Sequence, residues 1–218
     1  MKSKIFFFIV ASVFCKTVCL AQIPVEVFGG DKKATLDILF FKFFKNKEKQ
    51  NTNFLFFNRN RVTIDYLQTT TSNLPQFGFT EAISYNHKRL KGFGAVAVAQ
   101  INNKSIYPKL GIQFAKVKTD VTVFTWVVVE TLQQPNIDFF FLGRYTPKLS
   151  EKVNLFTQLE LVNALPTIES SSFTFIQRIR LGLKIQDFQF GLGADFTEIG
   201  RDKYTSTQNI GAFLRHEF

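Results

Sequence analysis

The sequence predicts an all-β fold: a single antiparallel, up-and-down transmembrane β-barrel of about twelve strands, with ten as the smaller alternative. Three observations predict it. Segment after segment alternates apolar and polar residues with the period of two that belongs to a strand. The chain carries 28 Phe and is 45 % hydrophobic, a composition that suits a barrel whose outer wall faces lipid. It also opens on an export signal.

That signal is Met1-Lys-Ser-Lys followed by the apolar run Ile5–Phe14 and by Cys19-Leu20-Ala21 ahead of Gln22. Lysines, a short apolar stretch and a small-residue junction make a secretory signal peptide over residues 1–21. The run is shorter than the roughly 20 residues that a spanning helix needs. Lipidation at Cys15 or Cys19 is disfavoured because bulky Phe14 and Val18 precede them. Cleavage after Ala21 removes both cysteines, so residues 22–218 would fold as one barrel domain without thiols or disulfides. It also removes Lys2, Lys4 and Lys16 and leaves a formal net charge of +7.

The strands are read in order as Ile23–Phe28, Ala34–Phe44, Asn53–Tyr66, Phe77–Asn86, Phe93–Asn102, Tyr107–Lys118, Val121–Leu132, Ile137–Thr146, Asn154–Asn163, Phe173–Ile185, Phe188–Glu198 and a last segment through Phe218. Phe188, Phe190, Leu192, Ala194 and Phe196 share one face, against Gln189, Gly191, Gly193, Asp195 and Thr197. Phe173, Phe175, Ile179, Leu181 and Leu183 face away from Thr174, Arg178, Arg180, Gly182 and Lys184, with Gln177 as the exception. Phe54, Phe56, Val62, Ile64 and Tyr66 oppose Asn53, Arg59, Arg61, Thr63 and Asp65. In the last segment Ile210, Ala212, Leu214, His216 and Phe218 oppose Asn209, Gly211, Phe213, Arg215 and Glu217. Short inner turns, such as Thr119-Asp120 and Gln186-Asp187, alternate with longer outer loops at Leu67–Gln76, Ala164–Ser171 and Gly200–Ser206. Tyr66, Tyr85, Tyr107 and Tyr145 lie near strand ends, where interfacial girdles hold Tyr, while Tyr204 falls in a loop. Closure follows from the backbone: lipid offers no hydrogen bonds, so no strand edge can stay unpaired.

The polar faces then meet in the lumen. The lumen and selectivity candidates are Arg59, Arg61, Asp65, Arg144, Glu160, Arg178, Arg180, Lys184 and Asp195, with Asp37, Lys109, Glu130 and Asp138 beside them. Arg178 and Arg180 could face Glu160 across their hairpin. Two outcomes stand open: an interior web of ion pairs that stiffens the barrel, or cationic steps that favour anions. Catalysis is not expected. The two histidines, His87 and His216, have no Ser one or two positions away, and the glycine pairs Gly92/Gly94 and Gly191/Gly193 lie in strand patterns with no helix after them. No cofactor is expected. Nucleic acid is not expected as a partner either, because no basic helix or aromatic-basic stripe occurs.

The export signal, together with a final strand that ends on Phe218, resembles bacterial outer-membrane barrels. The Ala21-Gln22 junction and the Lys/Phe/Asn richness look like the Bacteroidota style. The resemblance implies location in the outer membrane among its lipids. It also implies insertion by the barrel-assembly machinery, with Ile210, Leu214 and Phe218 as the insertion signal. In strand order and length, Ala34–Phe44 followed by Asn53–Tyr66 is more loosely similar to the nucleoside-specific channel family of small twelve-stranded barrels. The expected function is a narrow passive channel for small hydrophilic solutes, anionic or nucleoside-like. The alternatives are a non-conducting barrel that binds an envelope protein partner and, more remotely, a membrane-embedded lipid hydrolase.

Overall fold

The computed structural model describes residues 23–66, 75–103, 105–132, 136–168 and 171–218. Residues 1–21, read as a signal peptide, and most of the loop Leu67–Gln76 lie outside the described residues.

Twelve strands follow one another: β1 (Pro24–Gly30), β2 (Lys33–Lys45), β3 (Asn51–Asp65), β4 (Gln76–Tyr85), β5 (Phe93–Asn102), β6 (Ile106–Val117), β7 (Val121–Glu130), β8 (Ile137–Tyr145), β9 (Val153–Leu165), β10 (Phe173–Ile185), β11 (Phe188–Gly200) and β12 (Tyr204–Glu217). Each pairs antiparallel with its sequence neighbours, and β1 pairs with β12 from Pro24↔Glu217 to Gly30↔Gly211, which closes the barrel. Ile23 and Phe218 exchange backbone hydrogen bonds of 3.1 Å at one rim, here the near mouth. The opposite rim is the far mouth. Asn209 fastens the seam there: its Oδ1 accepts from the Lys32 and Lys33 amides at 2.9 and 3.0 Å, and its Nδ2 donates to Lys33 O at 3.1 Å. This side chain reaches across β1 to hold the β1–β2 turn against β12.

The wall is built as the alternation dictates. Val27, Ile83, Phe93, Ile112, Leu181, Leu192, Ile210, Leu214 and Phe218 are exposed on the outside, a surface suited to acyl chains. Two strands, β5 and β10, have the bounds expected from sequence. Others run longer: β11 and β12 extend so far that only 201–203 separate them, and Tyr204 opens β12 instead of lying in a loop. Tyr107 is also corrected. It shares the inward parity of buried Lys109 and lines the lumen, not an outer girdle.

The larger correction concerns what points inward. The lumen was expected to be polar, yet it also holds Leu39, Leu55, Phe57, Phe124, Trp126, Phe140 and Leu142 in one buried cluster. A second, smaller cluster contains Phe28, Phe156 and Phe213. Parity explains each of them. Leu55 and Phe57 share the inward face of β3 with Arg59 and Arg61, and Phe124 and Trp126 share that of β7 with Glu130. A barrel of this strand number is too narrow for its large inward side chains to avoid one another.

Phe156 and Phe213 meet because two glycines leave room. In register across four strands run Phe156, Gly182, Gly191 and Phe213. The two rings reach over the glycines to a centroid separation of 5.5 Å. A Cβ at Gly191 would overlap backbone atoms of Leu181 and Gly182. Gly191→Ala is therefore expected to cost about 1–3 kcal/mol through overpacking. Equilibrium urea unfolding of the refolded barrel checks it; an unchanged midpoint would show that the hairpin yields.

One patch breaks the outward rule. Asn58 and Asn60 of β3 and Glu81 of β4 lie on the lipid-facing parity, near the middle of their strands. They satisfy one another in part: Asn58 Nδ2 donates to Glu81 Oε1, and Asn60 Nδ2 donates to Asn58 Oδ1 at 3.3 Å. Asn60 Oδ1 and Glu81 Oε2 are buried without a hydrogen-bond partner among the described residues. A carboxylate on the lipid face near mid-membrane is costly. Glu81→Gln keeps an acceptor for Asn58 and removes the charge, so it is expected to stabilise the barrel by up to about 2 kcal/mol. The same unfolding measurement decides it, and a loss of stability would show that the charge has a use on this wall.

Candidate functional site

Local alternation places the lumen side chains, and strand register decides which of them meet. Arg59 (β3) forms a fork on Asp37 (β2), with Nη2–Oδ2 at 2.7 Å and Nε–Oδ1 at 3.3 Å. Arg61 shares Asp37 Oδ2 at 2.8 Å from Nη2. Arg59 then sends Nη1 to Glu160 Oε1 of β9 at 2.6 Å. In the order of the closed sheet β3 and β9 are six strands apart, on opposite walls. One ion pair thus spans the lumen.

Around it the network continues. Arg178 donates to the same Glu160 oxygen, and its Nε lies 3.8 Å from Asp195 Oδ2. Arg180 behaves differently from the expected contact with Glu160. It gives Nε to Glu26 Oε1 of β1 at 2.9 Å and Nη1 to Asp195 Oδ1 at 2.7 Å, with its guanidinium 4.0 Å over the Phe28 ring. Glu26 was not singled out from sequence, although it alternates with Val25 and Val27 as an inward residue should. Four guanidiniums here meet four carboxylates, so the middle of the lumen is close to neutral. Glu160 is 1 % exposed and Arg180 2 %, and ions this dry persist only when paired.

The remaining candidates lie at the two ends. Asp65 pairs with Lys33 at 3.5 Å at the far rim. Lys109 pairs with Asp138 and donates to Gln100 Oε1 at 2.6 Å nearer the far mouth. Arg144 and Lys184 lie toward the near mouth: Arg144 bonds the Gln158 amide at 2.8 Å, and Lys184 bonds Glu217 at 2.5 Å. Ile210, Leu214 and Phe218 point outward and contribute nothing to the lumen. Neither do the histidines. His87 caps a turn through Arg89 N at 3.3 Å, and His216 lies between Phe188 and Phe218 on the outer wall at 4.4 and 4.3 Å.

Beside the ion pairs the aromatic cluster fills the other part of the cross-section. Phe57 of β3 stacks on Phe124 of β7 at 5.2 Å, meets Trp126 edge-on at 4.9 Å, and meets Phe140 of β8 at 5.7 Å. Phe41 of β2 joins Phe124 at 4.7 Å. Such pairs add about 0.5–1.5 kcal/mol each beyond area burial. Opposite walls therefore touch twice, through rings on one side and through Arg59–Glu160 on the other. We call this layer the septum. Above it a far vestibule of about 790 Å³ is lined by Gln76, Asn102, Tyr107, Glu130 and Thr174 among others. It leads to a pocket of about 190 Å³ bounded by Arg61, Lys109, Arg178, Phe57 and Trp126. Below the septum a near vestibule of about 420 Å³ is lined by Thr122, Arg144, Phe156, Lys184 and Gln189. The septum was the part that sequence reasoning missed. The available signal was parity, which puts Leu55, Phe57 and Trp126 on the lumen side.

Comparison with known proteins bears on the fold. No family model matches the chain, and no curated protein matches it in sequence. Among solved structures the chain is similar to the NanC porin, with a TM-score of 0.53, 8 % identity, and coverage of 90 % of this chain and 99 % of that one. It is also similar to the KdgM porin, with a TM-score of 0.48, 11 % identity, and coverage of 91 % and 99 %. At such identities the likeness to NanC is one of fold alone: a closed twelve-stranded antiparallel barrel.

Proposed function

We propose that the chain is a porin-like barrel of the bacterial outer membrane, a narrow passive channel that admits small hydrophilic solutes from its far vestibule. Residues 1–21 direct its export, and the barrel-assembly machinery inserts it by way of Ile210, Leu214 and Phe218. The observation that carries the reading is the pair of polar vestibules that meet at a septum of two unlike halves. The aromatic half is dry and well packed. The ionic half, from Asp37, Arg59 and Arg61 to Glu160, Arg178 and Asp195, is polar throughout, and its partners can be exchanged. Small ions would pass along this seam by swapping carboxylate and guanidinium partners, while larger solutes would be held out. Preference among solutes follows the Arg and Lys side chains that face the path.

Planar-bilayer recording of the refolded chain tests this. Small, brief conductance events are expected, with exclusion of disaccharide-sized solutes in liposome swelling. A panel of small anions and nucleosides ranks the solute classes. Silence in the bilayer, with the barrel confirmed by spectroscopy, would remove the transport reading. The Arg59–Glu160 span favours a second reading in that case: a closed structural barrel that binds an envelope partner, for which stoichiometric co-purification is the expected sign.

A further inference from the structure

Lumen charge is not evenly distributed, and the near vestibule is where it fails to balance. Arg144 of β8 gives both Nε and Nη2 to Gln158 Oε1, at 3.0 and 2.8 Å. Arg215 of β12 gives Nη1 to the same oxygen at 3.3 Å. Two guanidiniums thus converge on one neutral amide oxygen. Both also lie over the Phe156 ring, at 5.8 and 5.7 Å. Arg215 is 3 % exposed, and its Nε and Nη2 have no hydrogen-bond partner among the described residues.

The neighbouring carboxylates are already engaged. Glu217 bonds Lys184 through Oε2 at 2.5 Å and comes no nearer than 4.0 Å to Arg215 Nη2. Glu26 stands opposite Arg215 in register, but its Oε1 accepts from Arg180. Glu160 serves Arg59 and Arg178. Arg144, Arg215 and Lys184 are therefore three cations with one carboxylate of their own, Glu217, while Lys118 and Asp120 at the exposed edge of the cavity offset each other. Buried charge of one sign is not left unbalanced in a low-dielectric interior. The cavity that could hold the balancing charge is present: about 420 Å³ against Arg144, Lys184, Phe156 and Gln189, with Glu217 and the exposed pair Lys118 and Asp120 also lining it.

We propose that the near vestibule is a binding site for a small dianionic oxyanion, a phosphate or a dicarboxylate. Arg144 and Lys184 line the cavity and grip the anion, and Arg215 adds its charge from beside Arg144 over the same Phe156 ring. The charge count sets the valence: two uncompensated cations ask for two negative charges on the ligand. Guanidinium forks suit planar or tetrahedral oxyanions better than spherical halide. The site stands whether or not the septum conducts, so its failure leaves the channel reading intact and the converse also holds.

Titration calorimetry on the refolded chain in micelles tests it, with inorganic phosphate and malonate as probes and chloride at matched ionic strength as the control. Saturable binding of at least one dianion is expected, with none for chloride. Arg144→Gln is expected to weaken it about tenfold or more, the loss of charge-assisted hydrogen bonds. Lys203→Gln, at the far mouth, is expected to leave it unchanged. Should Arg144→Gln fail to refold, Lys184→Gln, at the cavity wall, provides the second variant, with the same direction expected. Absence of saturable binding by both probes, equal binding by chloride, or affinity unmoved by Arg144→Gln would each overturn the site.

Discussion

Arg59→Ala is expected to cost the folded barrel about 3–5 kcal/mol, the loss that follows when one partner of a buried ion pair is removed. Glu160 is 1 % exposed and Asp37 8 %, so neither carboxylate recovers its lost partner from water. Asp37 retains Arg61 at 2.8 Å, and Glu160 retains Arg178, which places the loss nearer the lower end of that range. The contrasting variant is the pair Arg59→Met with Glu160→Leu. It removes both charges together, leaves Asp37 with Arg61, and leaves Arg178, which loses Glu160, to Asp195 at 3.8 Å. Replacing a buried ion pair by well-packed apolar groups is often neutral or stabilising, so this variant is expected within about 1 kcal/mol of the parent. Urea titration of the refolded proteins in lipid vesicles measures both. If the single variant also falls within about 1 kcal/mol of the parent, the span from β3 to β9 is not a dry contact and the septum reading fails on its ionic side.

The sequence showed the barrel more readily than the septum, and the reason lies in what each depends on. A lipid-facing wall is a local property: Phe188, Phe190 and Leu192 alternate with Gln189, Gly191 and Gly193, and no distant residue is needed to see it. The lumen candidates came from the same parity, and every one of Arg59, Arg61, Glu160, Arg178, Arg180 and Asp195 is inside. What alternation cannot give is the partner across the barrel. That depends on how the sheet closes and how far register shears around it. Arg180 reaches Glu26 through the β1–β12 seam, a contact that exists only once the sheet is closed. Leu55 and Phe57 were legible as inward residues from their parity with Arg59. Their meeting with Phe124 and Trp126 was not, because β3 and β7 are brought together by a narrow lumen and not by pairing. Asn58, Asn60 and Glu81 went unread for the opposite reason. They interrupt an apolar face at only three positions, and aromatic neighbours such as Phe56 and Phe79 carry the pattern past them.

Phe57→Ala tests the other half of the septum and should separate stability from permeation. Phe57 is 2 % exposed and its ring meets Phe41, Phe124, Trp126 and Phe140. Truncating so large a buried side chain costs about 3–5 kcal/mol, from lost transfer energy and from the cavity left behind. In a barrel with a vestibule on either side that cavity differs from one in a soluble core. It adjoins the pocket of about 190 Å³ at the base of the far vestibule, which Arg61, Lys109 and Arg178 already line with charge. Water can enter from that side, and an apolar gap with polar walls on one flank fills. The double variant Phe57→Ala with Phe124→Ala removes the stacked pair and is expected to join the two vestibules. Single-channel conductance should then rise several-fold over the parent, whereas Phe57→Leu, which keeps most of the apolar volume, should leave conductance near the parent level. The two readouts together discriminate. A stability loss without increased conductance would place the barrier in the ionic seam alone. Increased conductance in the Arg59→Met/Glu160→Leu variant but not in the aromatic one would say the same from the other side. If neither variant conducts more than the parent, the lumen is closed by something other than these two contacts, and the septum is not the barrier.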